Sequence, residues 1–396
     1  MNIVLLPDKT QAARVYKKEP VPYPASSCLD MEREVSYSVA NFAAKFCEEL
    51  RANKTSICSP LSAEMVLALL ALGCKNETHD ELLKALDKTD DDAIRSSYGF
   101  LTSTLKAVKG TTLNVANKVY LQKGGELKPG IEKDAKKVFQ SSLDQLDFND
   151  SEAAANTINN WVAQQTNDKI TNIVSPDMMT EDTRLVLVNA IYFQGLWTNP
   201  FKASATTNSL FRVNEKITIN IPMMSLSNTY FDYGVSRKLN AKLLRMWYQG
   251  GEASMVIVLP KEVEGLRSVL KKLASGHNIM TDIESMTSTE LDIIKIPKFK
   301  VETTIDLKKL LPNLGIKSIF NEQKADIDIL KSNQNLFVSH AIQKALIIVD
   351  EQGTEAAACT ATTAMIRVSL SPHALMREHG DPTPLSGNEN KNENVY

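Results

Sequence analysis

Apolar positions along this chain follow a helical period in the first half and a strand-like pattern in the second. Residues 1–30 carry four prolines and little periodicity, and read as an irregular arm. From 31 to about 53, Val35, Val39, Phe42, Ala43, Phe46 and Leu50 recur at helical spacing. Ser59-Pro60 then supplies a side-chain cap followed by proline at the first helical position. The segment LSAEMVLALLALG behind it is apolar on most faces and stops at Gly73, which predicts a buried helix. Thr78-His-Asp-Glu81 has the spacing of a capping box before LLKAL, and a further helix is predicted over 151–166.

Strand patterns take over from residue 185. LVLVNAIYFQG (185–195) is a continuous apolar run rich in branched and aromatic residues, with Asn189 embedded in it, which predicts a central strand buried on both faces. SMVIVLP (254–260), LDIIKIP (291–297) and LFVSHAIQKALIIVD (336–350) read the same way. Helices first and strands later give an α+β protein around a large sheet, with no internal repeat.

At 396 residues, 43% hydrophobic and 23% charged, the chain can bury a large core. A formal net charge of -2 leaves no electrostatic footprint for nucleic acid or an anionic membrane, so neither is expected as a partner. No stretch approaches the roughly 18 apolar residues of a membrane span. The four-residue apolar run before Pro7 is too short for the core of a secretory signal. Five cysteines (Cys28, Cys47, Cys58, Cys74, Cys359) without CxxC spacing argue against a disulfide framework and against zinc. Three sequons, at Asn53, Asn76 and Asn149, are compatible with secretion.

Catalytic signatures are missing: there is no GxGxxG, GxxxxGK[ST], HExxH or GxSxG. His79, His277, His340, His373 and His379 are dispersed. His340 falls in a strand pattern and reads as a structural hydrogen-bonding residue, while His373 and His379 read as solvated. No catalytic residue, metal or cofactor is expected, and the chain is not read as an enzyme.

The unusual segment is VDEQGTEAAACTATTAMIRVSLSP, residues 349–372. From Thr354 to Ala364 every residue is small apart from Glu355. In an extended conformation Thr354, Ala356, Ala358, Thr360, Thr362 and Ala364 share one face, which could enter a packed sheet without crowding it. Eleven residues would span about 36 Å, the length of a long central strand. The composition also suits an Ala-Thr linker; the mobile-segment reading differs in that the segment can become a strand.

At these residues the chain resembles the serpin family, over roughly residues 31–368. GTEAAACTA looks like the family's hinge, and ICSPLSAEMVLALLALGCKNETHDELLKAL resembles its second helix together with the stretch C-terminal to that helix. LVLVNAIYFQGLWTNPF is similar to its central-sheet signature, and IKIPKFKVETTIDLKKLLPNLGI to a later strand-turn-helix segment. The resemblance implies a large mixed central sheet A, sheets B and C, about nine helices and an exposed reactive-centre loop over about 351–370. It also implies a suicide-substrate mechanism, in which a protease acylates on the loop and the cleaved loop inserts as a new strand.

The resemblance also implies particular site residues. The scissile bond in the family usually follows the sixteenth residue after the glutamate that opens the hinge. Counted from Glu351, this places Arg367 before the cut and Val368 after it, with Met365 and Arg377 as alternative bait residues. Arginine there suits the carboxylate-based pocket of a trypsin-like serine protease, the expected partner of a chain expected to be a monomer. Gly353, Thr354, Glu355, Ala356, Ala357 and Ala358 match the hinge. Ser59, Ser62 and Asn189 match the shutter beneath the sheet, and Trp197 the breach where insertion begins. Lys298 and Glu351 match an ion pair at the loop base. Gln343 stands where many members have histidine, and Cys359 replaces a small alanine.

Beyond Val368 the sequence departs from the family. Residues 371–396, ending GNENKNENVY, read as a polar, disordered tail in place of two apolar strands of sheet B. The alternative function is therefore a non-inhibitory serpin-fold binding or decoy protein. Secretion is the expected destination, with the cytoplasm as the alternative.

Overall fold

The computed structural model describes residues 25–50, 55–332, 334–354 and 376–378. Nine α-helices lie among them. They are α1 (Ala25–Glu49), α2 (Pro60–Ala71), α3 (Asn76–Ala85), α4 (Asp91–Ala107), α5 (Pro129–Lys137), α6 (Ser151–Gln165), α7 (Leu266–Ala274), α8 (Ile279–Glu284) and α9 (Leu307–Leu310).

A six-stranded mixed sheet forms the centre, in the order β2 (Ser142–Leu146), β1 (Thr111–Gln122), β3 (Leu185–Leu196), β11 (Gly353–Thr354), β10 (Val338–Val349), β9 (Phe299–Asp306). β3 runs antiparallel to β1 and parallel to β10. Its continuous apolar sequence fits that placement, since nine of its twelve residues are buried. The remaining strands are β4 (Thr207–Arg212), β5 (Thr218–Ser236), β6 (Ala241–Trp247), β7 (Ser254–Pro260), β8 (Thr287–Pro297) and β12 (Met376–Glu378). They form a second network, β12-β8-β5-β6-β7, with β4 also on β5. The regions expected as sheets B and C are thus continuous: the first part of β5 pairs with β4 and its last five residues pair with β6.

Three apolar layers result. α2 packs behind the central sheet with Leu185, Leu187, Val338 and Ala341. α6 covers the front with Ala154, Ala155, Ile158 and Val162 against Val186, Val188 and Ala190 of β3. Phe193, Trp197, Ala345 and Val349 pack against Leu244, Met246 and Ile257 of the second network and against Tyr248, just past the end of β6. A cavity of about 100 Å³ remains at one seam of this packing, lined by Val39, Ala43, Cys58, Leu61, Phe193 and Leu346 among others.

Several sequence expectations change. The first helix starts at Ala25, so residues 25–30, expected as part of an irregular arm, are helical; all four prolines precede Ala25, and nothing after them forbids a helix. The capping box at Thr78–Glu81 does not form, because α3 already begins at Asn76. The Thr78 hydroxyl instead accepts from the Asp326 amide and donates to the Lys324 carbonyl. The Glu81 carboxylate accepts from the Lys317 and Ser318 amides. Both side chains answer a neighbouring loop rather than their own helix. The tail expected to be disordered contributes β12, which pairs antiparallel with β8 through the backbone, a contact that needs no apolar side chains.

Candidate functional site

The site lies along the join between β3 and β10. The two strands pair directly from Leu185–Val338 to Tyr192–Leu346. Beyond that point they part, and β11 fills the gap: Gly353 and Thr354 pair with Leu196 and Gly195, and Thr354 also pairs with Val349. A short turn makes this possible. The Asp350 carboxylate accepts from the Gln352 and Gly353 amides, and the Asp350 amide donates to the Gly353 carbonyl. The chain leaves β10, reverses, and re-enters its own sheet within a few residues. Position 353 has no room for a side chain, since a Cβ there would lie 2.1 Å from the Gly195 carbonyl oxygen.

Several side chains hold this seat. The Trp197 indole donates to the Asp350 carbonyl at 3.0 Å. Its ring stacks on Tyr248 with centroids 4.6 Å apart, and the Tyr248 hydroxyl lies 2.6 Å from the Thr354 hydroxyl. Backbone amides of Trp197 and Phe201 donate to the carbonyls of Gln352 and Glu351. Lys298 Nζ donates to Glu351 at 2.8 Å, and the Thr206 hydroxyl donates to the other carboxylate oxygen. Burial pushes the Glu351 carboxyl up, but these two donors and a backbone amide outweigh it and hold the group below its ordinary range.

Below the gap a buried polar row crosses three strands and reaches α2. Asn117 on β1, Asn189 on β3 and Gln343 on β10 are in register with one another. The Gln343 amide donates to Asn189 Oδ1 at 2.6 Å and to the Ser59 carbonyl, while its own Oε1 accepts from the Ser59 amide. The Asn189 amide donates to Ser62 Oγ and to Asn117 Oδ1. Ser59 also caps α2, its Oγ accepting from the Ser62 amide. Each side chain in the row has a polar partner, as burial at this depth demands.

The sequence-expected residues Ser59, Ser62, Asn189, Trp197, Lys298, Glu351, Gly353 and Thr354 therefore fall into two linked clusters along one join. Glu355, Ala356, Ala357, Ala358, Arg367, Val368 and Met365 lie outside the described residues. Arg377 falls in β12, opposite Ile293 of β8. Sequence reading missed Asn117, Tyr248 and Thr206. Asn117 did leave a sign, as a polar residue in the otherwise strand-like TTLNVANKVYLQ. His340, in β10, is held below its ordinary range by burial, then by the nearby Lys308 ammonium, which favours a neutral ring.

This combination of a mixed central sheet, a strand-like turn seated in a gap of that sheet and a polar row beneath it defines the class. The family model for serpins, serine protease inhibitors, matches residues 37–379. Antitrypsin of Bombyx mori is 41% identical over 326 residues, covering 82% of this chain and 82% of that protein. Antichymotrypsin-2 of Bombyx mori is 39% identical over 345 residues, covering 86% and 91%. The crystal structure of Serpin48, a highly specific serpin of the insect Tenebrio molitor, superposes with a TM-score of 0.75 at 33% identity, covering 84% of this chain and 90% of that one. The chain belongs to the serpin family of serine protease inhibitors.

Proposed function

We propose that this chain inhibits trypsin-like serine proteases as a suicide substrate, with Arg367–Val368 as the bond offered to the protease. The protease serine attacks the Arg367 carbonyl and expels the Val368 amine, leaving an ester to the enzyme. Insertion of the segment after Thr354 between β3 and β10 then carries the ester-linked protease away before water completes hydrolysis.

One observation carries this reading: β11 is already the first two residues of a strand between β3 and β10. Thr354 is fully buried and faces Tyr248. In an extended continuation Ala356, Ala358, Thr360, Thr362 and Ala364 share its face, and all are small enough to pass into the join. The names of the two Bombyx mori relatives, antitrypsin and antichymotrypsin-2, point to different proteases, so the trypsin-like choice rests on Arg367 and the carboxylate pocket that would receive it.

A monomeric, secreted protein is part of this reading. The sequon at Asn149 is exposed, whereas that at Asn76 lies in the first turn of α3 with Thr78 buried and bonded. Incubation with trypsin tests the proposal. The expected product is a protease complex that survives denaturing electrophoresis, together with a released peptide beginning at Val368; in Arg367→Ala the complex with trypsin is lost. Clean cleavage with full protease activity retained would favour the non-inhibitory binding or decoy reading.

A further inference from the structure

We propose that Cys47 and Cys58 are a modification site, an intrachain disulfide that closes under oxidation and ties α1 to the base of the polar row. Cys47 lies in the last turn of α1, and Cys58 immediately precedes Ser59, the cap of α2. Their sulfurs are 3.7 Å apart and both side chains are buried, at 2% and 6% exposure. A disulfide needs about 2.05 Å between sulfurs, so closure asks for less than about 2 Å of movement, within reach of side-chain rotation. The cavity beside Cys58 offers room for that rotation and for a small oxidant.

Position gives the bond its consequence. Ser59 is gripped on both its amide and its carbonyl by Gln343 of β10. A bond at Cys58 therefore anchors to α1 the residue next to the join between β3 and β10. Cys47 and Cys58 enclose a ten-residue loop, and closing it restricts the unfolded chain.

With hydrogen peroxide as oxidant the chemistry balances in two steps. Cys58 first ionises; its thiolate attacks one peroxide oxygen, the O–O bond breaks, and the departing hydroxide takes up the proton released on ionisation to leave as water, giving a sulfenic acid. The Cys47 sulfur then attacks the Cys58 sulfur, and the hydroxyl leaves as a second water with the Cys47 proton. Two thiols are oxidised and one peroxide is reduced to two waters. The thiol contact with Cys47 and then burial hold the Cys58 thiol well above its ordinary range, so the thiolate is scarce at neutral pH and alkaline conditions favour the step.

The test uses the full chain, exposed to hydrogen peroxide at mildly alkaline pH, then denatured, alkylated and digested for mass spectrometry. The expected product is a pair of peptides joined through Cys47 and Cys58, lighter by two hydrogens than the two thiol peptides. The intact oxidised protein should melt higher than the reduced one, and that shift should vanish in Cys47→Ser. Alkylation of both cysteines after oxidation would overturn the proposal, as would their pairing with Cys28, Cys74 or Cys359, or a melting shift that persists in Cys47→Ser. None of these readouts depends on protease inhibition.

Discussion

Gln343 of β10 donates from its side-chain amide to Asn189 of β3 across 2.6 Å, three residue pairs before the two strands part. One side-chain bond thus spans the join that a further strand would have to enter. Its chemistry makes it reversible: amide and hydroxyl groups can exchange partners, whereas interdigitated apolar groups would have to unpack.

Asn189→Ala should expose the weight of this row. The substitution leaves groups on Gln343, Ser62 and Asn117 short of partners in a dry site, at a cost of about 2–4 kcal/mol. The melting temperature of the uncleaved protein should fall accordingly in calorimetry. An unchanged melt would mean that the row contributes nothing to the uncleaved state.

Thr354→Arg separates cleavage from trapping. Thr354 is fully buried, with its hydroxyl against Tyr248. A buried unpaired guanidinium there costs several kcal/mol, so insertion should be slowed by at least about tenfold relative to ester hydrolysis. Titration against trypsin should show cleavage at a rate like that of the parent protein, but with far more molecules consumed per protease trapped. Unchanged trapping would show that this residue need not stay in the sheet.

Glu64 predicts a pH dependence of the opposite sign to that of a salt-bridged carboxylate. It is fully buried on α2, accepts from the Tyr98 hydroxyl, and its second oxygen has no partner among the described residues. Burial raises its pKa to about 7, against the lowering effect of Tyr98. The folded state therefore keeps a proton that the unfolded chain gives up near its ordinary value, and stability falls as pH rises between the two. The loss amounts to roughly 3 kcal/mol above pH 7. Glu64→Gln, which can keep the Tyr98 bond, should melt like the parent at pH 4.5 and higher than it at pH 8.

Much of this fold can be read from its strands. LVLVNAIYFQG is apolar without alternation because both faces of β3 are covered, and SMVIVLP marks β7 at its observed limits. Residues whose role depends on a distant partner are harder to read. Thr78 has the spacing of a cap but bonds a loop some 246 residues away in sequence. Asn117 and Tyr248 look ordinary until pairing sets one beside Asn189 and the other beneath Thr354. Cys47 and Cys58 show no motif spacing, and only the packing of α1 beside α2 brings their sulfurs together. Local pattern reports burial and period; partners are a property of the assembled sheet.

Thermal unfolding before and after a single cut in the 355–368 segment tests the central claim most directly. If that segment continues β11 as a full strand between β3 and β10, the cut protein should melt well above the intact one, because a long strand has joined the central sheet. A cut protein that melts at the same temperature as the intact one, or below it, would contradict the account.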